Sequence, residues 1–598
     1  MKKKIRIFLV LFVLLIVCSV CLLYIPYERQ SGIKSSTPFF ENEKVLFLVP
    51  HQDDEIYIGA STILNYLHSG SEIYVAYTTN GDYYREEDTE IRRREAKHVL
   101  TDMGVAEENI FFLGYCNQYV DGESEFLYTA EGMITSDIGK THTYGTEEYP
   151  DYHTMLYNEP AAYTRENLKS DIKDLILNLR PTVIYCIDFD VHVDHRTLSL
   201  LFEEAMPYIL TKDASYQPRV YKGFAYVKDD YLDFYVGLNE RSVQKPVTHL
   251  ILDDTYDTDV PSYTWKNRVR LPSADGLFGW TRRSSYINEL LAMYESQNDK
   301  SFPRNTNSDD IFWERRTDSL TYNAELSVSS GMYKERLADF KLTDVSDVGS
   351  KKTTYTNFLW SPELSDEQKS LTFTFATPQE VSAVALYDDP NVHNNILCAK
   401  IEDADGNLLA NCMPSVKGEY SIFEFPAVTT DKITVSIVAY EGIPGLAEVE
   451  IFRQGNRETE WIKLYVDNEN ETFVYHVYPE EDTVALRLYA YPNNEKAIQD
   501  YDILVDGEAE WKTENDRLII NSSFSKEVCI TITDPHDSAL SDTITVQKMS
   551  GIKRTYITAL QWYEQRIDDI KEMVSLVFGR YVPYYWNLLR SKMQGLFS

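Results

Sequence analysis

Two short clusters in this 598-residue chain carry residue types suited to hydrolytic metal chemistry. The first, His51-Gln52-Asp53-Asp54-Glu55, ends the apolar run Lys44 to Pro50. The second, His192-Val193-Asp194-His195, follows the apolar run that starts at Pro181. Three carboxylates and an imidazole at the end of a buried strand repel one another and lose solvation. Such a cluster is expected where a metal or a substrate neutralises it. Imidazole nitrogen and carboxylate oxygen are zinc donors, and a catalytic zinc takes three protein ligands with one position left open. If a helix opens just after His51, the i, i+3 spacing sets His51 and Asp54 on one side of its first turn, and it joins His192 to His195 likewise. Histidines elsewhere, such as His68, His98, His142, His153, His249, His393, His476 and His536, have no such pattern and read as structural or surface residues.

Elements of the right kind flank both clusters. From Lys44, apolar strands alternate with helical stretches: "KVLFLVP", then "EIYIGASTILNYLHSG", "EIYVAYTTNGD", "EDTEIRRREAKHVLTDMG", "IFFLGY", "YTRENLKSDIKDLILNLR", "PTVIYCIDFD" and "HRTLSLLFEEAMPYIL". This alternation predicts an α/β, Rossmann-like domain over 43–325, a parallel sheet with helices on both faces and a site beyond the carboxyl ends of its strands. Past about residue 340 short β-rich runs follow one another without helices. They predict a β-sandwich over 340–455 and a second, immunoglobulin-like sandwich over 456–550, read as a spacer. Residues 551–598 return to helical spacing as an amphipathic tail, set against a membrane surface or packed on the neighbouring sandwich.

The address of the chain follows from its first residues. Lys2, Lys3, Lys4 and Arg6 precede the uncharged run Ile7 to Ile25. A run of that length just spans a bilayer, and the flanking charge keeps the short end cytoplasmic. Residues 1–30 therefore read as a basic tip and signal anchor, with 31–42 as linker and the body outside the cytoplasm. Secretion after signal cleavage is the alternative. The net charge of −36 excludes nucleic acid as a partner, since phosphates demand a basic face. Oligomeric state is left open. Five scattered cysteines outside the apolar run make neither a disulfide framework nor a zinc ribbon; Cys398 and Cys412 flank a hairpin turn and either pair or stay as thiols.

The two clusters resemble the paired motifs of the PIG-L/LmbE family of zinc-dependent N-deacetylases, His-Pro-Asp-Asp-Glu and His-x-Asp-His. Further pieces match in order over about 43–320: "TTNGD", the helix with Arg92, Glu95 and Gly104, and "LLAMYESQ" from Leu290 to Gln297. The resemblance implies that His51, Asp54 and His195 bind Zn2+ (another divalent transition metal also fits), that Asp53 is the general base and that His192 stabilises the oxyanion. Asp194 reads as orienting a histidine or capping the next helix. Arg92, Asn117 and Tyr144 are the candidate substrate contacts. Two departures stand out: Gln52 replaces the family's proline, and Asn117 stands where the family commonly has Asp. The tyrosine-rich stretch 119–163 reads either as a glycan cleft or as a cover over the sheet. "GIPGLAEVEIF", Gly442 to Phe452, resembles the last strand of discoidin-type, galactose-binding-like modules.

The expected activity is thus removal of N-acetyl groups from N-acetylglucosamine-type sugars of a cell-surface or envelope glycan. Two rivals remain. In one, a membrane-anchored glycosyltransferase holds a nucleotide-sugar's cation on Asp188 and Asp190. In the other, the chain is a non-catalytic glycan-binding surface protein.

Overall fold

A computed structural model describes residues 38–556, apart from the longer segments 119–126, 226–267, 278–285, 298–309, 343–358 and 467–473 and some shorter ones, with a few positions beyond 556. The proposed anchor, the linker before Pro38, Asp190 and nearly all of the tail lie outside the described residues. No helix among those described is long and apolar enough to cross a membrane.

Strands β1 (Lys44–Val49), β2 (Glu72–Thr79), β3 (Ile110–Tyr115), β4 (Val183–Ile187) and β5 (Arg219–Gly223) pair in parallel, in the order β3-β2-β1-β4-β5. Strands β6 (Arg268–Leu271) and β7 (Asp310–Arg315) extend the β5 edge antiparallel. After Lys44, β1 is apolar, as expected of a strand in a sheet covered by helices on both faces; Val45 to Val49 are all fully buried. The covering helices are α1 (Asp54–His68), α2 (Glu86–Met103), the short α3 (Tyr152–Tyr157), α4 (Arg165–Leu179), α5 (Val193–Lys212) and α6 (Tyr286–Met293). Strand order reverses between β1 and β4, and the crevice beyond their carboxyl ends is where such sheets bind ligands. His51 and His192 stand at those two ends.

Helix α1 breaks at Gly59 (φ −157°). The Phe47 ring lies so near that a Cβ at Gly59 would fall 2.4 Å from its Cε1. Past the break, the Thr62 amide and hydroxyl both donate to Asp310 Oδ2 at 2.7 Å, which restarts the helix from β7. The opening turn of α1 is thereby set apart from the rest of the helix.

The tyrosine-rich stretch is mostly a cover. Tyr128, Tyr149, Tyr152 and Tyr163 are buried, and Arg93 binds the backbone carbonyls of Tyr144 and Tyr149. Lys341 donates to the Tyr128 hydroxyl at 2.6 Å and lies 3.2 Å from Glu204 on α5. Tyr119 lies outside the described residues.

The first β-sandwich begins earlier than residue 340. β8 (Glu325–Val328) pairs with β9 (Ser370–Asp388) in a sheet that also holds β10 (Asn395–Glu402), β11 (Leu408–Cys412), β12 (Ser421–Glu441) and β13 (Leu446–Phe452). β8 was hidden in the sequence because it is short and its partner lies more than forty residues on. Cys398 and Cys412 are free thiols: Cys412 faces Ala399, one residue out of step with Cys398. The second sandwich joins a sheet of β14 (Trp461–Val466), β16 (Thr483–Tyr491), β18 (Trp511–Glu514) and β19 (Arg517–Asn521) to one of β15 (Val474–Val477), β17 (Asp502–Asp506), β20 (Glu527–Thr533) and β21 (Ser541–Lys548).

Neither sandwich hangs free. Trp461, Tyr465, Tyr489 and Tyr491 join the core of the α/β domain beside Phe39 and Tyr221, so the expected spacer is a docked layer. The first sandwich turns Glu448 and Glu450 of β13 onto Arg315 and Phe340: Glu448 accepts the Asp339 and Phe340 amides at 3.2 Å, and Arg315 donates to the Phe340 carbonyl at 3.1 Å. Burial, only partly offset by Arg315 and Arg316, pushes the Glu450 carboxyl up to about 7. Burial does the same to Asp388, also to about 7, against amide hydrogen bonds from Ile396 and Asp389. A carboxyl raised in the folded state stabilises fully below its unfolded pKa, and that contribution is lost as pH rises through the folded value. The melting temperature should therefore be higher at pH 6 than at pH 8, by about 1 kcal/mol of stability per such group. A flat profile across that window would refute the assignment.

Candidate active site

The turn at the end of β1 departs from the expected helix face. Helix α1 opens at Asp54, so His51 precedes it, and their pairing comes from a tight turn. Asp54 Oδ2 accepts the His51 amide at 2.9 Å and lies 3.0 Å from His51 Nδ1. At the end of β4, His192 caps α5, taking the Asp194 amide on Nδ1 at 3.2 Å, and His195 sits in the first turn. His195 Nε2 lies 3.3 Å from both His51 Nδ1 and Asp54 Oδ2.

Three donor atoms, His51 Nδ1, Asp54 Oδ2 and His195 Nε2, are thus 3.0 to 3.3 Å apart pairwise. Tetrahedral ligands about 2.0–2.1 Å from zinc stand roughly 3.3 Å from one another, so the set fits a divalent transition metal. His51, Asp54 and His195 are nearly or fully buried, and Asp54 Oδ1 has no hydrogen-bond partner. His192 completes a group of three imidazoles whose ligand atoms lie within 4.8 Å of one another.

Electrostatics agree with the geometry. Burial pulls the His51 imidazole down, but the Asp54 and Asp194 carboxylates at its two nitrogens outweigh burial and leave it raised. Burial pushes Asp54 up, yet His195 and His51 more than reverse it and hold the carboxyl well below the usual range. His192 is driven well below its ordinary value by burial, then by His51 and His195. Because its Nδ1 accepts an amide N–H, the ring proton of His192 belongs on Nε2. His192 is therefore placed to act as a neutral donor through Nε2.

Asp53 is raised well above the usual carboxyl range by burial and by Asp54, against the pull of Arg92 and His51. It is buried, its Oδ1 has no hydrogen-bond partner, and its carboxylate does not cap the helix it precedes. Its backbone sits at φ 147°, a region that favours glycine and costs a side-chain-bearing residue about 1–3 kcal/mol.

Asp194 orients His51: its Oδ2 lies 3.0 Å from His51 Nε2, which leaves Nδ1 for a metal. Gln118 holds that carboxylate from both its amide and its side chain, each at 3.0 Å. Nothing in the sequence singled Gln118 out. Asn117 likewise gives its amide to Asp194 at 3.0 Å and takes up Asp82 Oδ1 with its backbone N–H at 2.9 Å, so it braces the site. Tyr144 donates to Asp82 Oδ2 at 2.8 Å and pairs with Thr89, which ties the cover to the turn after β2. Of the three candidate substrate contacts, Asn117 and Tyr144 are each tied to a carboxylate, whereas Arg92 donates to a neutral side chain, Gln297 Oε1. Gln52 makes good the missing proline: its Nε2 donates to the Thr79 carbonyl at 2.8 Å, beside Gly81, where a Cβ would fall 2.7 Å from Gln52 Oε1.

Residues 46–206 match the family model for GlcNAc-PI de-N-acetylase, PIG-L. That segment is similar to the PIG-L family. Both candidate metal-binding clusters lie within it. Residues 319–452 match a second model, a domain of unknown function (DUF7402). A probable N-acetylglucosaminyl-phosphatidylinositol de-N-acetylase of Dictyostelium discoideum is 40% identical over 101 residues, 17% of this chain. The chain spans 38% of the length of that curated relative. Among solved structures, the N,N'-diacetylchitobiose deacetylase of Pyrococcus horikoshii aligns over 48% of this chain and 88% of its own, at 16% identity and TM-score 0.27. The module CpGH89CBM32-5 of Clostridium perfringens aligns over 22% of this chain and 95% of its own, at 13% identity and TM-score 0.18.

Proposed function

We propose that this chain is a metal-dependent amide hydrolase that removes acetyl from N-acetylglucosamine-type sugars of a glycan. The observation that carries the reading is the set of three donor atoms 3.0 to 3.3 Å apart beside a buried carboxylate oxygen without a partner. His51 Nδ1, Asp54 Oδ2 and His195 Nε2 would hold the ion, with zinc the expected metal. When bound, such an ion acidifies water and polarises an amide carbonyl. Asp53 takes the proton of the water that attacks the acetyl carbon and passes it to the sugar nitrogen as the C–N bond breaks. His192 Nε2–H donates to the carbonyl oxygen as it gains charge. Arg92 is the side chain best placed to meet a sugar hydroxyl. The products are acetate and a glucosamine-type amine.

The Dictyostelium discoideum relative, a probable de-N-acetylase of an N-acetylglucosaminyl lipid, supports the same sugar. A cell-surface setting is part of the proposal and rests on the apolar run Ile7 to Ile25 alone. The glycosyltransferase reading loses support from Asp188: its Oδ1 binds the Phe189 amide and Ser199 and lies 3.4 Å from the buried Lys222 ammonium, so it is spent on a buried charge.

The test is acetate release from N-acetylglucosamine oligomers before chelation, after it, and on return of zinc. Release that disappears and returns supports the proposal. A chain that binds no divalent metal and releases no acetate overturns it.

A further inference from the structure

The structure assigns to residues 294–297, the end of the helical stretch that begins with α6, the role of a clamp that positions Asp53. This rests on the proposed function of Asp53 as the base. The matched PIG-L segment ends at residue 206, so the clamp lies well outside it.

A residue with a side chain keeps the backbone of Asp53 only where its surroundings over-determine it. Here the peptide unit between Gln52 and Asp53 is gripped at both ends. Its carbonyl accepts Gln297 Nε2 at 2.6 Å. Its N–H donates to Glu55 Oε2 at 3.1 Å, and the other Glu55 oxygen accepts the Tyr294 hydroxyl. The orientation of this peptide plane sets φ of Asp53, and hence where the Asp53 carboxylate points. The clamp is itself anchored on α2: Ser296 donates to Glu95 from its amide at 2.8 Å and its hydroxyl at 2.6 Å, and Gln297 Oε1 accepts from Arg92. One glutamine therefore fixes both the base-bearing turn and the candidate substrate cation. The three metal donors are held otherwise, by one another and by Asp194. Clamp and metal should thus separate.

Two variants of the full chain test this. Gln297→Glu keeps an acceptor for Arg92 but loses the donor to the Gln52 carbonyl; Tyr294→Phe frees one oxygen of Glu55. Each should lower kcat about 10- to 100-fold, as expected for a misplaced catalytic group. Bound metal per chain should be unchanged in both, and KM should stay within about twofold in Tyr294→Phe, which leaves Arg92 untouched. Amide hydrogen exchange over 51–56 should quicken in both variants and nowhere else in the parallel sheet. Full kcat in both variants, or loss of metal in either, overturns the clamp. If the unaltered chain releases no acetate, the proposed function falls and exchange alone decides: faster exchange over 51–56 upholds the clamp, unchanged exchange removes it.

Discussion

Replacing Asp53 by asparagine should lower acetate release by about 10²- to 10⁴-fold, with the fold and the bound metal retained. Asparagine matches aspartate in shape but cannot take a proton from water. The substitution removes no bond on which the site depends, because Asp53 Oδ1 has no hydrogen-bond partner and its amide N–H stays on Glu55. It also relieves a conflict. The Asp53 carboxyl is raised by burial and by Asp54 next to it, so a neutral side chain there should leave the melting temperature equal or slightly higher. A loss of activity accompanied by gained or unchanged stability is the mark of a group placed for chemistry rather than folding. The checks are acetate release, metal per chain and a melting curve on the same sample. Activity within tenfold of the parent would remove Asp53 from the role of base.

Replacing Arg315 by methionine should cost about 3–5 kcal/mol at pH 8, the usual penalty for stripping one partner from a buried ion cluster. Arg315 is 1% exposed and ends β7, where the α/β sheet meets the first sandwich. Its guanidinium lies 3.8 Å from Glu203, stacks 4.4 Å from the Phe340 ring, and pulls down the raised carboxyls of Glu450 and Glu448. Methionine fills much of the same volume, so the loss reports charge rather than a cavity. Acid should shrink it: once Glu450 is protonated below about 7, it needs less countercharge. Thermal unfolding at pH 8 and pH 6 measures both effects. An equal loss at the two values, or a loss under about 1 kcal/mol at pH 8, would show that the arginine does not neutralise the interface.

The parallel sheet and the two candidate metal-binding clusters were legible because their signals are local. Apolar strands such as Lys44–Val49, helical spacing after them, and His and Asp at strand ends are all written within a few residues. Even so, local spacing left the geometry of the opening open: a helix just after His51 would set His51 and Asp54 on one face by i, i+3, but α1 opens at Asp54 itself, after Asp53 at φ 147°, and a tight turn pairs the two. Gln52 read as a loss of rigidity, and only its bond to the Thr79 carbonyl, 27 residues on, shows how the turn is braced. The tyrosines of 119–163 looked equally like a cleft or a cover, since composition carries no direction; Arg93 and Lys341, distant in sequence, make the described ones mostly a cover. Glu448 and Glu450 alternate with apolar neighbours as on any half-exposed strand. That their face is buried against Arg315 depends on how two domains meet. The sequence by itself determined which atoms could hold a metal and split an amide. The tertiary structure decided how they are aimed, because aim comes from hydrogen bonds between residues far apart in the chain, and no local pattern records them.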